Sequence, residues 1–237
     1  MTEPMPHTIR RYDAELTRLR DLVERMGAIA VEQIETATRC ILEHDAQLAA
    51  TVVQRDLELD QLEREVEAEA IKVIALRHPV AVDLRLVIGA LRAANDLERV
   101  GDYAANAAKR SIVLAGLPPL GSLNGFERLA AMVGRNLRDG VRAFVDGDAA
   151  LADRVWVADQ PADAVYTGIF REMLTHMMED ARNITAATHL LFVAKNLERI
   201  GDHATNIAEV AHYLGLGEPL TGERPKADTT VVPNGTS

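Results

Sequence analysis

The sequence predicts an all-α protein whose two related halves contribute three long helices each, six in all, and three observations carry that prediction. Apolar residues recur at alternating spacings of three and four, the period of helices that bury one face. Only 4% of residues are aromatic, while Ala, Leu, Glu, Arg and Asp dominate, a composition suited to helices packed through aliphatic seams. The run Leu97-Glu98-Arg99-Val100-Gly101-Asp102 returns 100 residues on as Leu197-Glu198-Arg199-Ile200-Gly201-Asp202.

From Ile9 the apolar positions Tyr12, Leu16, Leu19, Val23, Met26 and Ala30, resuming at Ile34, Ala37 and Ile41, predict a first helix over about 8–44. Asp45 is the N-cap expected for a second helix, which runs to about Arg77, where His78-Pro79 breaks the pattern. A third helix over about 81–115 completes a first repeat, 8–115. No helix passes through the paired prolines of Gly116-Leu117-Pro118-Pro119-Leu120-Gly121-Ser122, so 116–122 is the expected linker. The second repeat, 123–215, has helices expected near 123–145, 149–180 and 182–215, with a turn at Asp146-Gly147-Asp148. Pro161 falls inside the fifth helix and is expected to kink or split it, since proline removes a backbone donor and crowds the preceding turn. Residues 216–237 carry too little apolar content to pack and read as a disordered tail.

With 48% hydrophobic residues, the chain can fill a core. Its formal charge of −10 repels the phosphate backbone and argues against nucleic-acid partners, favouring cations and basic surfaces instead. The single cysteine, Cys40, forms no internal disulfide, and polar residues with Pro4 and Pro6 follow Met1, so a reducing cytoplasm is the expected compartment. The longest apolar runs fall far short of the roughly 20 residues that span a bilayer, so any work at a membrane is peripheral. Neither a phosphate-cradling glycine loop nor a Ser-His-Asp arrangement is evident, which leaves nucleotide hydrolysis and acyl transfer without support.

Between 97–108 and 197–208, eight of twelve positions are identical, where ordinary residue frequencies give about one. A duplicated core stripe accounts for the shared apolar positions but not for the polar ones. Glu98, Asp102 and Asn106 stack on one helix face, as do Glu198, Asp202 and Asn206. Like charges at this spacing repel by about 0.2–0.5 kcal/mol, a cost relieved by a cation laid over them. The preceding helix of each half offers a matching row, Asp56 with Asp60 and Asp159 with Asp163. Antiparallel packing of the second and third helices then gathers four carboxylates per half.

Oxygen-ligand cations such as Mg²⁺, Mn²⁺, Fe or Zn²⁺ would neutralise such a cluster; a solvated acidic face or an Arg-paired network is the alternative. Arg99 and Arg199, one residue along, are expected to point away from the rows. Gly101 and Gly201 are costly in a helix and suggest close backbone approach. His203 stands where the first copy has Tyr103 and is a candidate to ligate or orient a ligand, or simply to pack.

The run Asp83-Leu84-Arg85, followed by Asp96 through Asn106, resembles the PhoU family of phosphate-uptake regulators, and so does Leu197 through Glu209; the likeness extends over about 10–215. The resemblance implies two tandem three-helix bundles and a divalent or multinuclear metal site at Asp56, Asp60, Glu98 and Asp102, with another at Asp159, Asp163, Glu198 and Asp202. Tyr103 departs from the histidine usual at that position, and Pro161 interrupts the second acid helix. The resemblance also implies a non-catalytic cytoplasmic adaptor that restrains the phosphate-starvation response. Such an adaptor links the ATPase component of a phosphate ABC transporter to a sensor histidine kinase, reaches the membrane only through those partners, and is compatible with a homodimer.

A carboxylate-bridged di-metal oxidase or iron-storage bundle is one competing reading, and it needs Glu-x-x-His on two helices. Only Glu209-x-x-His212 has that spacing, and one repeat earlier the positions are Lys109 and Ile112. A metal-free helical interaction protein is the other.

Overall fold

The protein is described here from a computed structural model that covers residues 6–221, with side chains from Arg11 onward. From residue 222 the expected tail lies outside the described residues. Among the described residues there is no β-strand. The helices are α1 (Pro6–Leu42), α2 (Ala46–Arg77), α3 (Ala81–Leu114), α4 (Asn124–Asp146), α5 (Ala149–Val157), α6 (Asp159–Glu179) and, after a single 3-10 turn at Ala181–Asn183, α7 (Ile184–Leu216).

Local chemistry sets these ends. Asp45 accepts hydrogen bonds from Gln47 N at 2.9 Å and Leu48 N at 3.0 Å, which satisfies two of the donors a helix start leaves open. Asp148 does the same for α5 through Leu151 N at 2.9 Å. Gly147 and Gly217 stop α4 and α7 at φ of 66° and 78°, a left-handed turn that costs glycine nothing.

The fifth helix of the sequence plan splits at Ala158 into α5 and α6. Pro161 therefore sits in the first turn of α6, where its missing N–H had no partner to lose. Asp159 and Asp163 consequently share one unbroken helix, and the expected interruption of that acid pair does not occur.

On α1 the seam runs through Leu16, Leu19, Val23, Met26, Ala30, Ile34, Ala37 and Ile41, all buried. The halves share one continuous apolar core. At its centre α3 and α7 run antiparallel: Asp96 meets His203, and Arg110 meets His189. Small residues such as Ala90, Ala94, Ala187 and Ala194 let these two helices approach. Where α1 crosses α4, a Cβ on Gly27 would lie 2.7 Å from Val141 Cγ1, so only glycine fits there.

Candidate functional site

The α2–α3 hairpin brings the first predicted row together. A Cβ placed on Gly101 would lie 2.5 Å from Leu59 Cδ1, 2.7 Å from Asp56 Oδ1 and 3.1 Å from Gln33 Oε1. The glycine thus lets α2 close onto α3, and it draws a carboxylate and an amide oxygen into one corner. Burial pushes the Asp56 carboxyl up to about 6; the Asp102 and Asp60 charges add to it, while Lys109 and the Gln33 amide offset it only in part. Glu98 is raised by burial, then by Asp102 and Glu63. Glu63 is raised by burial, then by Asp60 and Glu67. The row is therefore short of positive charge.

Two members were not singled out in the sequence. Glu63 lies three residues beyond Asp60, on the same face, and that spacing could have revealed it. Gln33 comes from α1, where it is buried, as Glu15 and Thr38 also are, and only 1% exposed. Its Nε2 makes a long 3.4 Å contact to the Val52 carbonyl, and its side-chain amide hydrogen-bonds the Asp56 carboxylate, which helps to hold that group ionised.

Arg99 does not point away from the row. Its guanidinium lies 3.9 Å from both Glu98 Oε2 and Asp102 Oδ2. These contacts are long and Arg99 is exposed, so they neutralise weakly. Arg199 instead lies over the Tyr103 ring, 5.5 Å from its centroid. Asn106 is exposed.

In the α6–α7 hairpin, Asp159 is buried and its Oδ1 lies 3.4 Å from a Cβ placed on Gly201, repeating the relation of Asp56 to Gly101 at longer range. Glu198 is held by Lys195, whose Nζ is 2.6 Å from Glu198 Oε2. Asp163 and Asp202 are half-buried on the same hairpin.

His203 and Asn206 are placed elsewhere. Both turn to Asp96 across the α3–α7 seam: His203 Nδ1 lies 2.7 Å from Asp96 Oδ1, and Asn206 Nδ2 donates to that oxygen at 3.2 Å. Tyr103 and His203 meet there with ring centroids 5.5 Å apart. His212, the imidazole of the competing Glu-x-x-His reading, is paired with Asp153 at 2.7 Å.

The donor chemistry of the α2–α3 row, several carboxylates under mutual repulsion, fits a hard cation. Among the described residues, however, no three His, Cys, Asp or Glu side chains are already gathered around one ion position. Closing on a cation would require the acid side chains to change rotamer. Among the described residues no helix is long and apolar enough to cross a membrane.

Comparison with known proteins agrees with this architecture. The chain is 48% identical over 229 residues, 96% of its length, to the phosphate-specific transport system accessory protein PhoU homolog of Caulobacter vibrioides, covering 98% of that protein. It is 46% identical to the Xylella fastidiosa protein of the same description, over 94% of this chain and 93% of the other. The crystal structure of PhoU from Pseudomonas aeruginosa superposes with a TM-score of 0.83 at 36% identity, covering 87% of this chain and 100% of that one. The phosphate transport system regulatory protein PhoU from Streptococcus pneumoniae gives 0.81 at 27% identity, over 89% and 99%. The PhoU domain pattern matches twice, over residues 23–111 and 126–211, which accounts for the duplicated motif, and the chain belongs to the PhoU domain family.

Proposed function

We propose that this protein is a regulatory accessory of a phosphate-specific transport system, acting by docking rather than catalysis. The observation that carries this reading is near-full-length similarity, at 48% identity, to a protein described as such an accessory. In the finer form of the reading it works in the cytoplasm, where it links the transporter's ATPase component to a sensor histidine kinase and lowers kinase output and uptake when phosphate is plentiful.

The surface supports docking. Leu76, Val80, Val82 and Leu84 at the α2–α3 end are exposed, and so are Phe170, Leu174, Met178 and Ile184 at the α6–α7 end. Exposed apolar side chains at both hairpin tips give partner proteins area to bury.

A hard divalent cation belongs to the same reading. Asp56, Asp60, Glu98 and Asp102 would hold it, and when bound it supplies positive charge to an acid face that could then accept acidic or phosphorylated partner groups. What the chain itself does is position: Gly101 sets the helix spacing, and Asp56 stands in the corner it leaves with the Gln33 amide beside it.

The regulatory reading is tested by deleting the gene in its host and measuring phosphate-starvation transcripts in phosphate-rich medium. Constitutive expression is expected. Normal repression would contradict the reading.

A further inference from the structure

A stripe of arginine runs along the α3–α7 seam. On α3, Arg85, Arg92 and Arg99 follow one another at seven-residue steps, close to two turns each, and Arg110 lies 25 residues beyond Arg85, close to seven turns. All four therefore leave the helix on one face. Duplication does not account for the stripe: the corresponding positions on α7 are Thr185, Phe192, Arg199 and Val210, so only Arg199 repeats it.

The arginines are held against rings across the seam. Arg85 lies over Tyr213, 5.9 Å from the ring centroid, and Arg110 over Phe192 at 4.6 Å; between them Arg199 reaches from α7 over Tyr103 at 5.5 Å. Stacking fixes a guanidinium while leaving its N–H edge free for a carboxylate. The chain does not supply one at either end. Besides its ring, Arg85 packs on Gly217 at the end of α7, and Arg110 Nη1 lies 3.4 Å from His189 Nδ1. Burial, then the Arg110 charge, hold that imidazole below its ordinary range, so it stands neutral beside the arginine near pH 7. Arg92 and Arg99 are exposed, and Arg99 meets Glu98 and Asp102 only at 3.9 Å. The carboxylate set within the stripe, Asp96, is taken up by His203 and Asn206. Ile88, Phe192 and Tyr213 add exposed apolar area between the charges.

We propose that this face docks a helix of a partner protein that carries acidic side chains at seven-residue steps, its carboxylates meeting Arg85, Arg92, Arg99 and Arg110 and its apolar side chains lying on Ile88, Phe192 and Tyr213. The inference deepens the docking reading and rests on it. A helix is the fitting occupant because arginines at two-turn steps, from end to end about 37 Å, match a chain that repeats at the same rise. A second copy laid seam to seam sets arginine against arginine, and the acid rows on either flank repel a nucleic-acid backbone.

The test uses the full chain in its host. Photo-reactive benzoylphenylalanine is placed at position 192, and after irradiation the cross-linked peptides are sequenced by mass spectrometry. The expected product is a segment of another protein with Asp or Glu at seven-residue steps. Its yield should fall at least tenfold in Arg92→Glu combined with Arg110→Gln, and also fall in Arg92→Glu alone, where the exposed side chain leaves the core untouched. It should persist in Arg92→Lys and in Arg135→Glu, which changes an exposed arginine on α4. Lysine placed at the acids of the cross-linked segment should restore the yield with Arg92→Glu.

A cross-link to a second copy, to nucleic acid or to a segment without the acidic steps overturns the proposal, as does no cross-link, or one that survives both arginine variants. Normal repression of phosphate-starvation transcripts in Arg92→Glu with Arg110→Gln, where deletion gives constitutive expression, overturns it and leaves the regulatory reading standing. Normal repression on deletion overturns the regulatory reading, and the cross-link then decides this one.

Discussion

His203 Nδ1 and Asp96 Oδ1 lie 2.7 Å apart, a contact from α7 to α3 that ties the second half of the protein to the first. Asn206 donates to the same oxygen, and Tyr103 packs against the His203 ring. Asp96→Ala leaves two half-buried polar groups without their acceptor, at a cost of about 1–3 kcal/mol. Urea unfolding should show a lower midpoint with an unchanged slope. An unchanged midpoint would mean that water replaces the carboxylate at no cost and that the seam is held by apolar packing alone.

Three glycines should respond in a fixed order. At Gly101 an added methyl meets Leu59 and Asp56 below 3 Å, so Gly101→Ala should destabilise by about 1–3 kcal/mol. At Gly201 the nearest atoms are 3.3 and 3.4 Å away, and Gly201→Ala should be near neutral. At Gly134 nothing lies within 4 Å, so Gly134→Ala should gain about 0.5–1 kcal/mol of helix stability. Thermal melting of the three variants checks the ranking, and a Gly101→Ala protein as stable as wild type would refute the close approach of α2 and α3.

The Asp56 carboxyl titrates at about 6 in the folded chain, above its ordinary 3.8. A raised carboxylate means that the folded state binds the proton more tightly than the unfolded one, so stability falls as pH rises from about 4 through 6 and the penalty is complete above that. In chelator-treated protein Asp56→Asn should therefore raise stability near pH 7.5, by about 1 kcal/mol after discounting for solvent screening, with the gain gone below pH 4. A pH-independent effect, or destabilisation at pH 7.5, would show that Asp56 is already neutralised by its neighbours.

Much of this was legible in the chain because helix ends are written locally. Asp45 marks a start, and Pro118-Pro119 mark the break between halves. The acid rows were legible as well, since residues four apart share a face whatever the tertiary structure. What faces a row from another helix was not: Gln33 is far from the motif in sequence and reaches it only because α1 packs under the hairpin. The Tyr103 and His203 exchange looked like a change of ligand and proved to be a pair in mutual contact, visible only once α3 and α7 are known to be antiparallel. Arg99 was misplaced because spacing fixes where a side chain starts and not where a long flexible one ends. Pro161 split the helix but did so upstream of both acids, since proline is tolerated in a first turn.

The measurement closest to the central claim is the metal content of the full chain after dialysis against a mixture of Mg²⁺, Mn²⁺, Fe²⁺ and Zn²⁺, read by elemental analysis for the wild type and for the Glu98→Gln, Asp102→Asn double variant. The account predicts stoichiometric metal on the wild type and its loss in the double variant, with the fold retained by circular dichroism. Wild-type protein that emerges free of metal would contradict it.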